Sequence, residues 1–265
     1  MATRATRATS GKKTEATSDA PARGRLADAR SPRAGAVRTF PVIEVFGPVL
    51  QGEGHMIGAQ THFVRFGYCD YRCAWCDTLY AVEPAQVQAE AEWLNVDAIV
   101  ARLDSLGAQT PWVTLSGGNP AIHDLGALVE RLHATGRKVA VETQGTVFRP
   151  WLAQCDVLTV SPKPPSSGMT TDHARLARFI ALPQSNLKVV VFDDADFAYA
   201  RDIHLRYPDR PFHLQPGNAV GQDDTAALLA KLDWLAQRAM HDSAMANAIV
   251  LPQLHTLMYG NRRGV

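Results

Sequence analysis

The sequence has few features of a membrane, secreted or disulfide-stabilised protein. None of its apolar runs approaches the ~20 residues that a helix needs to cross a bilayer. The first residues contain no apolar stretch of the kind that forms the core of a signal peptide. Cysteine is scarce, with four in 265 residues, which is too few for a disulfide scaffold at this length. These absences predict a soluble cytoplasmic protein that does not interact with membranes.

The sequence also has little net charge. The formal value of +1 gives no overall field that would attract nucleic acid, so direct nucleic-acid binding is not expected. Residues 1–38 nevertheless carry +6, and they contain almost no large apolar side chains. Such a segment cannot bury enough surface to offset its ordering entropy. We therefore predict a disordered basic tail over residues 1–38 and one folded domain over residues 39–265.

Short β-branched runs alternate with segments of helical period from Phe40 onward. The strand candidates are residues 41–47, 61–66, 112–116, 138–143, 157–161, 187–192, 211–215 and 248–255. The helix candidates with the clearest ends are residues 96–107, 122–136 and 223–240, of which the last has Asp223 and Asp224 at its start. This alternation predicts an α/β fold with a mostly parallel sheet.

Polar or glycine-rich segments follow six of the predicted strands. They are the cysteine loop after residue 66, Gly117-Gly118-Asn119-Pro120, Gln144-Gly145, Pro162-Lys163-Pro164, Pro216-Gly217-Asn218, and the segment of Gln253 and His255. In barrel-like α/β folds, active sites assemble at the C-terminal ends of parallel strands. The pattern therefore indicates an active site at that end of the sheet.

Three cysteines, Cys69, Cys73 and Cys76, form a Cys-x3-Cys-x2-Cys segment. Thiolates are soft ligands that suit zinc or iron–sulfur clusters. Closed zinc sites usually take four protein ligands, and no histidine lies here at zinc-finger spacing. The segment thus indicates either a cluster with one open iron or a zinc site completed by a distant residue. Cys155, just before a predicted strand, is interpreted as a small buried thiol.

The cysteine triplet, with the aromatic Trp75 directly before the third cysteine, resembles the signature of the radical S-adenosylmethionine superfamily. This resemblance implies a modified partial (β/α) barrel of about six parallel strands. It also implies a [4Fe-4S] cluster whose open iron binds and cleaves S-adenosylmethionine. The implied cofactor contacts are Trp75, Ser116, Gly117, Gly118, Glu142, Ser161, Lys163 and Gln215. Many members have glutamate where this chain has Asn119.

Several further segments resemble the 7-carboxy-7-deazaguanine synthase family. They are residues 43–48, Leu50-Gln51-Gly52-Glu53-Gly54, residues 63–66, 76–78, 116–121 and 161–163, and residues 251–265. The resemblance spans roughly residues 40–265, so residues 39–265 would form the catalytic domain. It implies contraction of 6-carboxy-5,6,7,8-tetrahydropterin to 7-carboxy-7-deazaguanine with loss of ammonia, a step of queuosine and deazapurine biosynthesis.

The same resemblance implies a set of substrate-binding residues. They are Leu50, Gln51, Gly52, Glu53, Arg65, His255 and the Val265 carboxylate. Among them, Glu53 would accept paired hydrogen bonds from the N–H edge of the pterin. Arg65 would hold the substrate carboxylate as a bidentate fork, and His255 would bond the ring or move a proton. These three are the predicted catalytic residues.

The resemblance also implies Mg2+ with the Thr78 hydroxyl as its ligand, since Mg2+ takes few protein ligands. A homodimer and an electron donor such as flavodoxin or ferredoxin are further implications. Two alternatives stay open. A glycyl-radical-enzyme activating enzyme shares the cysteine spacing, and a zinc-binding module without enzymatic activity would use the same thiols.

Overall fold

A computed structural model describes residues 37–107, 110–218 and 224–265. The predicted tail, residues 1–38, lies outside the described residues except for Val37 and Arg38. Arg38 forms an ion pair with Asp124. Across the described ranges, every helix is too short or too polar to cross a membrane.

One sheet of nine strands forms the centre of the fold. The strands are β1 (Phe40–Leu50), β2 (Gln60–Phe66), β3 (Glu92–Leu94), β4 (Trp112–Gly117), β5 (Lys138–Thr143), β6 (Val157–Val160), β7 (Ser185–Val191), β8 (Phe212–Pro216) and β9 (Ile249–Val250). Their order is β3-β1-β2-β4-β5-β6-β7-β8-β9. All ladders from β2 to β9 are parallel, whereas β1 pairs antiparallel with β2 and β3. The predicted α/β fold with a mostly parallel sheet is confirmed.

In the described part of the chain, seven α-helices follow or flank the strands. They are α1 (Pro84–Glu90), α2 (Val96–Ser105), α3 (Gly126–Ala134), α4 (His173–Ile180), α5 (Asp194–Arg206), α6 (Thr225–Met240) and α7 (Leu254–Tyr259). The predicted helix at residues 96–107 corresponds to α2, whose first turn is capped by the Asn95 side chain. Asp224 caps α6 as predicted, while Asp223 lies outside the described residues.

The helix predicted over residues 122–136 is shorter in the structure. Residues Pro120–Ile122 form a separate 3-10 turn, and α3 begins at Gly126. His123 separates the two because its backbone is extended (φ −91°, ψ 155°). Its carbonyl accepts a hydrogen bond from the indole of Trp151, and its ring bonds the Gly67 carbonyl. Tertiary contacts thus override the local helical pattern.

The last predicted strand, residues 248–255, is also shorter. Pairing with β8 ends at Val250, since Pro252 has no N–H to continue a ladder. The chain then enters α7, where the Leu254 N–H donates to the Gly52 carbonyl over 2.9 Å. His255 therefore lies on a helix, and this helix is attached to the segment that follows β1.

The core lies where the helices cover the parallel strands. Its fully buried side chains include Phe66, Leu115, Phe179 and Phe212, and each such side chain contributes roughly 1.5–3 kcal/mol through burial. All seven residues of β7 are buried, as expected for a strand covered on both faces. This packing fixes the strand ends that carry the polar residues.

Candidate functional site

A cavity of about 280 Å³ lies at the C-terminal ends of the parallel strands. Its walls come from the ends of β2, β4, β5 and β7, the segment after β6, the cysteine loop and the last six residues of the chain. The structure brings the sequence-predicted site residues together here, with the exception of Gln215. Gln215 is buried beneath the wall, where its amide donates to the Pro252 carbonyl over 2.9 Å.

The glycine segment after β4 packs directly against the cysteine loop. Gly118 donates its N–H to the Phe66 carbonyl, and Asn119 donates its N–H to the Tyr68 carbonyl. A Cβ atom would lie 2.0 Å from the Phe66 carbonyl oxygen at Gly117 and 2.3 Å from the Tyr68 carbonyl oxygen at Gly118. Both glycines are therefore required by the close approach of two backbones.

Asn119 ties the cysteine loop to the sheet. Its amide donates to the Asp70 carboxylate over 2.8 Å, and Gln144 donates to the same carboxylate oxygen over 2.6 Å. The Asn119 carbonyl oxygen accepts from the Thr143 hydroxyl over 2.9 Å. A glutamate at this position could not donate to Asp70, so the departure from the superfamily pattern has a structural reason here.

The three thiols of the cysteine loop line the cavity. Burial raises the pKa of Cys69 to about 11 and also raises the pKa values of Cys73 and Cys76, although Lys163 opposes each shift. A bound cation would stabilise the thiolates instead. Among the described residues, no group of three or more His, Cys, Asp or Glu side chains is placed to hold a single metal ion.

Cys155 lies apart from this cavity in the hydrophobic core, where its thiol donates to the Leu152 carbonyl. The chain has four cysteines, so the cavity holds three. Three soft ligands without a fourth suit a four-iron cluster that keeps one iron open. Ser116 lines the same cavity, and its buried hydroxyl lacks a hydrogen-bond partner within the described ranges. It can therefore bond a polar group of a ligand.

Trp75 is held at the cavity wall by a chain of hydrogen bonds. Its indole donates to the Ser166 hydroxyl over 2.9 Å, and this hydroxyl donates to Asp196 over 2.6 Å. The Lys163 ammonium lies 5.8 Å from the Trp75 ring centroid. The indole plane is thus fixed before any ligand binds.

A buried charge network also lines the cavity. The Lys188 ammonium forms ion pairs with Glu53 and, at 3.5 Å, with Glu142. Gln51 donates to Glu142 over 2.9 Å, and Gln253 donates to Glu53 over 2.6 Å. The five side chains connect predicted substrate contacts to a predicted cofactor contact.

The charges in this network stabilise one another. Burial raises the pKa of Glu53, but attraction to Lys188 and His255 and hydrogen bonds from Lys188 and Gln253 outweigh it and hold the pKa at about 2. Burial lowers the pKa of Lys188, but Glu142 and Glu53 outweigh it and raise that pKa above its usual value. Both groups are charged at neutral pH.

Sequence reasoning missed Lys188. Its signal is a single lysine in the apolar run Leu187-Lys188-Val189-Val190-Val191. Lysine is almost never fully buried unless it is paired. A lysine inside a strand that is covered on both faces therefore indicates a buried carboxylate partner.

Arg65 and the C-terminal segment meet at Glu44. Arg65 pairs with Glu44 at 2.8 Å, and Arg263 pairs with the other oxygen of Glu44 at 2.9 Å. Arg263 also pairs with Glu90 at 2.9 Å, and its guanidinium lies 3.7 Å from the Tyr80 ring centroid. These contacts place Val265 at the cavity wall.

His255 lies against the Gln51-Gly52-Glu53 segment. A Cβ atom at Gly52 would lie 2.1 Å from Nδ1 of His255, so a glycine is required there. On the cysteine loop, the Thr78 hydroxyl donates to Asp77 over 2.6 Å, and both residues line the cavity.

No protein-family model matches the chain. A 7-carboxy-7-deazaguanine synthase of Bacillus subtilis is 42% identical over an alignment of 240 residues that covers 85% of this chain and 98% of the relative. That of Bacillus cereus is 44% identical over 240 residues, covering 85% of this chain and 99% of the relative. The crystal structure of QueE from Escherichia coli matches with a TM-score of 0.63 at 26% identity, covering 82% of this chain and 95% of that one.

Proposed function

This chain belongs to the 7-carboxy-7-deazaguanine synthase family, and we propose that its cavity converts 6-carboxy-5,6,7,8-tetrahydropterin to 7-carboxy-7-deazaguanine with loss of ammonia. The chain is an enzyme, a radical S-adenosylmethionine lyase. The observation that carries the proposal is the meeting of Glu53, Arg65 and His255 with three cysteines around one cavity. The product would serve queuosine or other deazapurine biosynthesis.

The charge network supports recognition of a pterin. Glu53 has a low pKa and is therefore an acceptor for the paired N–H donors at one edge of the pterin. Arg65 uses its Nε for Glu44, and we assign its Nη groups to the substrate carboxylate. His255, fixed against Gly52, would face the ring from the helix side and exchange a proton with it.

The cofactors belong to the proposal as well. Cys69, Cys73 and Cys76 would hold a [4Fe-4S] cluster, and Trp75, Ser116, Gly117, Gly118, Glu142, Ser161 and Lys163 would contact S-adenosylmethionine. When bound, the cluster and S-adenosylmethionine supply the radical that abstracts a substrate hydrogen. Gln215 would act indirectly, through its hydrogen bond to Pro252. Thr78 would donate a hydroxyl ligand to Mg2+, and the partly exposed loop leaves room for waters.

Three further properties complete the proposal. An oxygen-sensitive cluster requires a reducing compartment, so we assign the enzyme to the cytoplasm. A flavodoxin or ferredoxin would deliver the electron. The homodimeric state implied by the family would be tested by light scattering of the purified protein.

The decisive experiment is anaerobic turnover by reconstituted protein with dithionite, S-adenosylmethionine, Mg2+ and 6-carboxy-5,6,7,8-tetrahydropterin. We expect 7-carboxy-7-deazaguanine by mass spectrometry, and no product from Cys73→Ala. Cys155→Ala is the matched control and should keep the cluster, because Cys155 lies outside the cavity. Formation of 5′-deoxyadenosine without the deazaguanine acid would favour the activating-enzyme alternative. A colourless protein that holds zinc and no iron would contradict the proposal.

A further inference from the structure

Lys188 is a charged residue within a buried and otherwise mostly apolar strand, so the strand pattern does not account for its presence. It lies on β7 between Leu187 and Val189, both fully buried, and its own exposure is 4%. The first four carbons of its side chain cross the interior, and Cδ would lie 3.4 Å from a Cβ at Gly54. The ammonium emerges at the cavity wall beneath Glu53. A buried lysine costs stability unless its charge is fully compensated.

The compensation comes from two carboxylates on different elements. Glu53 follows β1, and Glu142 lies on β5. Lys188 contacts both carboxylates. It therefore connects Glu53, a predicted substrate contact, to Glu142, a predicted cofactor contact. Without the ammonium group, two carboxylates would face each other in a buried site, and one would take up a proton.

The hydrogen bonds around Glu53 leave capacity for a ligand. One oxygen accepts from Lys188 and the other accepts from Gln253. An ionised carboxylate has about four acceptor positions on its two oxygens. Each oxygen of Glu53 thus retains one position, and the two positions match a pair of parallel N–H donors. Protonation of either oxygen would replace an acceptor with a donor and destroy this match.

We propose that Lys188 is a positioning residue for substrate recognition: its ammonium group keeps the Glu53 carboxylate ionised and oriented so that both oxygens accept from the pterin N–H edge. The inference rests on the proposed function and assigns the recognition of that edge to Glu53 together with three supporting residues, rather than to Glu53 alone. Lys188 orients one oxygen, Gln253 orients the other, and Glu142 anchors Lys188 from the far side.

The pH dependence follows from the groups around this network. The titratable or charged groups that act on Glu53 or on Lys188 are Glu142 on β5, Asp77 on the cysteine loop, His213 on β8 and His255 on α7. In the wild type, Glu53 is ionised far below neutral pH. Loss of the Lys188 charge removes the largest attraction on Glu53, so burial and the neighbouring Glu142 carboxylate raise the pKa of Glu53 from its wild-type value, opposed only by His255 and the Gln253 hydrogen bond.

The test measures binding rather than turnover. The fluorescent, unreactive analogue 6-carboxypterin is titrated into cluster-loaded wild type, Lys188→Met and Lys188→Arg between pH 5.5 and about 7.5. We expect the wild type and Lys188→Arg to bind with the same affinity and the same pH profile. Lys188→Met should bind about 10- to 100-fold more weakly, as for loss of a hydrogen bond to a charged group, and its binding should strengthen with rising pH more steeply than that of the wild type. Lys138→Met, an exposed lysine on β5, is the matched control and should bind as the wild type does.

A double-mutant cycle separates positioning from direct contact. If Lys188 acts through Glu53, Lys188→Met should add little to the loss caused by Glu53→Gln. Fully additive losses, or wild-type affinity and pH dependence in Lys188→Met, would overturn the inference. Should Lys188→Met not fold by circular dichroism, Lys188→Gln, which keeps a hydrogen-bond donor at this position without the charge, carries the same test. If the wild type forms no deazaguanine acid, the proposed function fails; if it does and the binding results are contrary, this inference alone fails.

Discussion

At the scale of single residues, the site depends on positions where one atom more or less changes the geometry. Gly52 is the clearest case, because its missing Cβ is what admits the His255 ring. Gly117 and Gly118 likewise leave no room for a Cβ, because the backbone of Phe66 and of Tyr68 lies directly against them. These glycines determine the distance between elements that carry functional side chains.

Gly52→Ala should displace His255 from the cavity. The added Cβ would lie 2.1 Å from Nδ1, so either α7 or the segment after β1 has to move. We expect weaker pterin binding, with S-adenosylmethionine cleavage in the absence of pterin retained, as measured by 5′-deoxyadenosine formation. His255→Ala removes the two ring atoms that clash and leaves only its own Cβ, 2.9 Å from the added one, so Gly52→Ala should cost less stability in that background than in the wild type. An unchanged pterin affinity in the single variant would contradict this reading of the contact.

The ionised Glu53 carboxylate makes the stability of the protein depend on pH in the acidic range. Its pKa in the folded state is about 2, below the usual 4.5, so its ionised form favours folding. This contribution is complete above pH 4.5 and is lost as pH falls toward 2. Glu53→Gln should therefore lower the free energy of unfolding by at most about 3 kcal/mol above pH 4.5. This difference from the wild type should shrink between pH 5 and 2. Denaturant titrations at several pH values measure it, and a difference that is constant with pH would contradict the ion pair.

At the scale of elements, the cysteine loop is held by contacts to the ends of β2, β4 and β5. Asp70 receives hydrogen bonds from Asn119 and Gln144, which lie after β4 and β5. The loop is thus attached to the sheet independently of any metal. This attachment would keep the three thiols facing the cavity when the cluster is absent.

Asn119→Asp should loosen this attachment. The substitution replaces the amide that donates to Asp70 with a second carboxylate, so two buried carboxylates face each other without a hydrogen bond. Such an unsatisfied contact lowers the free energy of unfolding by about 1–3 kcal/mol or more. We expect a lower melting temperature and faster loss of iron to a chelator. Asn95→Asp is the matched control, because aspartate caps a helix as well as asparagine does and Asn95 caps α2. Equal iron loss from both variants would show that the Asp70 contacts do not hold the loop.

The C-terminal segment depends on one arginine. Arg263 joins Glu44, Glu90 and the Tyr80 ring, and it places Val265 at the cavity. Exposed ion pairs contribute only about 0–1 kcal/mol, so Arg263→Ala should leave global stability nearly unchanged while raising the KM for the pterin several-fold. Arg262→Ala, at the neighbouring position, should have a smaller effect. Equal KM values for the two variants would contradict this role of Arg263.

The sequence predictions were accurate where a structural feature is determined by residues that are close together in the chain. Eight of the nine described strands, all except the short β3, and the helices α2 and α6 were predictable because periodicity, N-cap residues and glycines act within a few positions. The cysteine loop and the glycine segment were recognisable for the same reason. The end of the last strand, the extended conformation of His123 and the buried Lys188 depend on partners far along the chain. Glu53, for example, lies 135 residues from Lys188, and no local pattern encodes that pairing.

At the scale of the whole molecule, residues 37–265 contain every strand of the described sheet and every residue that lines the cavity. The composition of residues 1–38 gives them little means to add to a core. Among the described residues, Arg38 forms an ion pair with Asp124 next to the start of β1. We therefore expect the fold and the candidate site to form without the basic segment that precedes them.

Deletion of residues 1–36 should therefore leave kcat and KM for the pterin unchanged and should shift the melting temperature little. Deletion of residues 1–42 is the informative control, because it removes buried Phe40 and Val42 and their pairing with Leu94 and Glu92 in β3. Losing two buried apolar side chains at an edge of the core costs several kcal/mol, at roughly 2–5 for each large one, so this longer deletion should lower stability strongly. Anaerobic turnover and thermal unfolding of both truncated proteins make the comparison. A loss of turnover already in the shorter deletion would assign the basic segment a part in catalysis, since it would have altered activity while leaving the sheet and cavity intact.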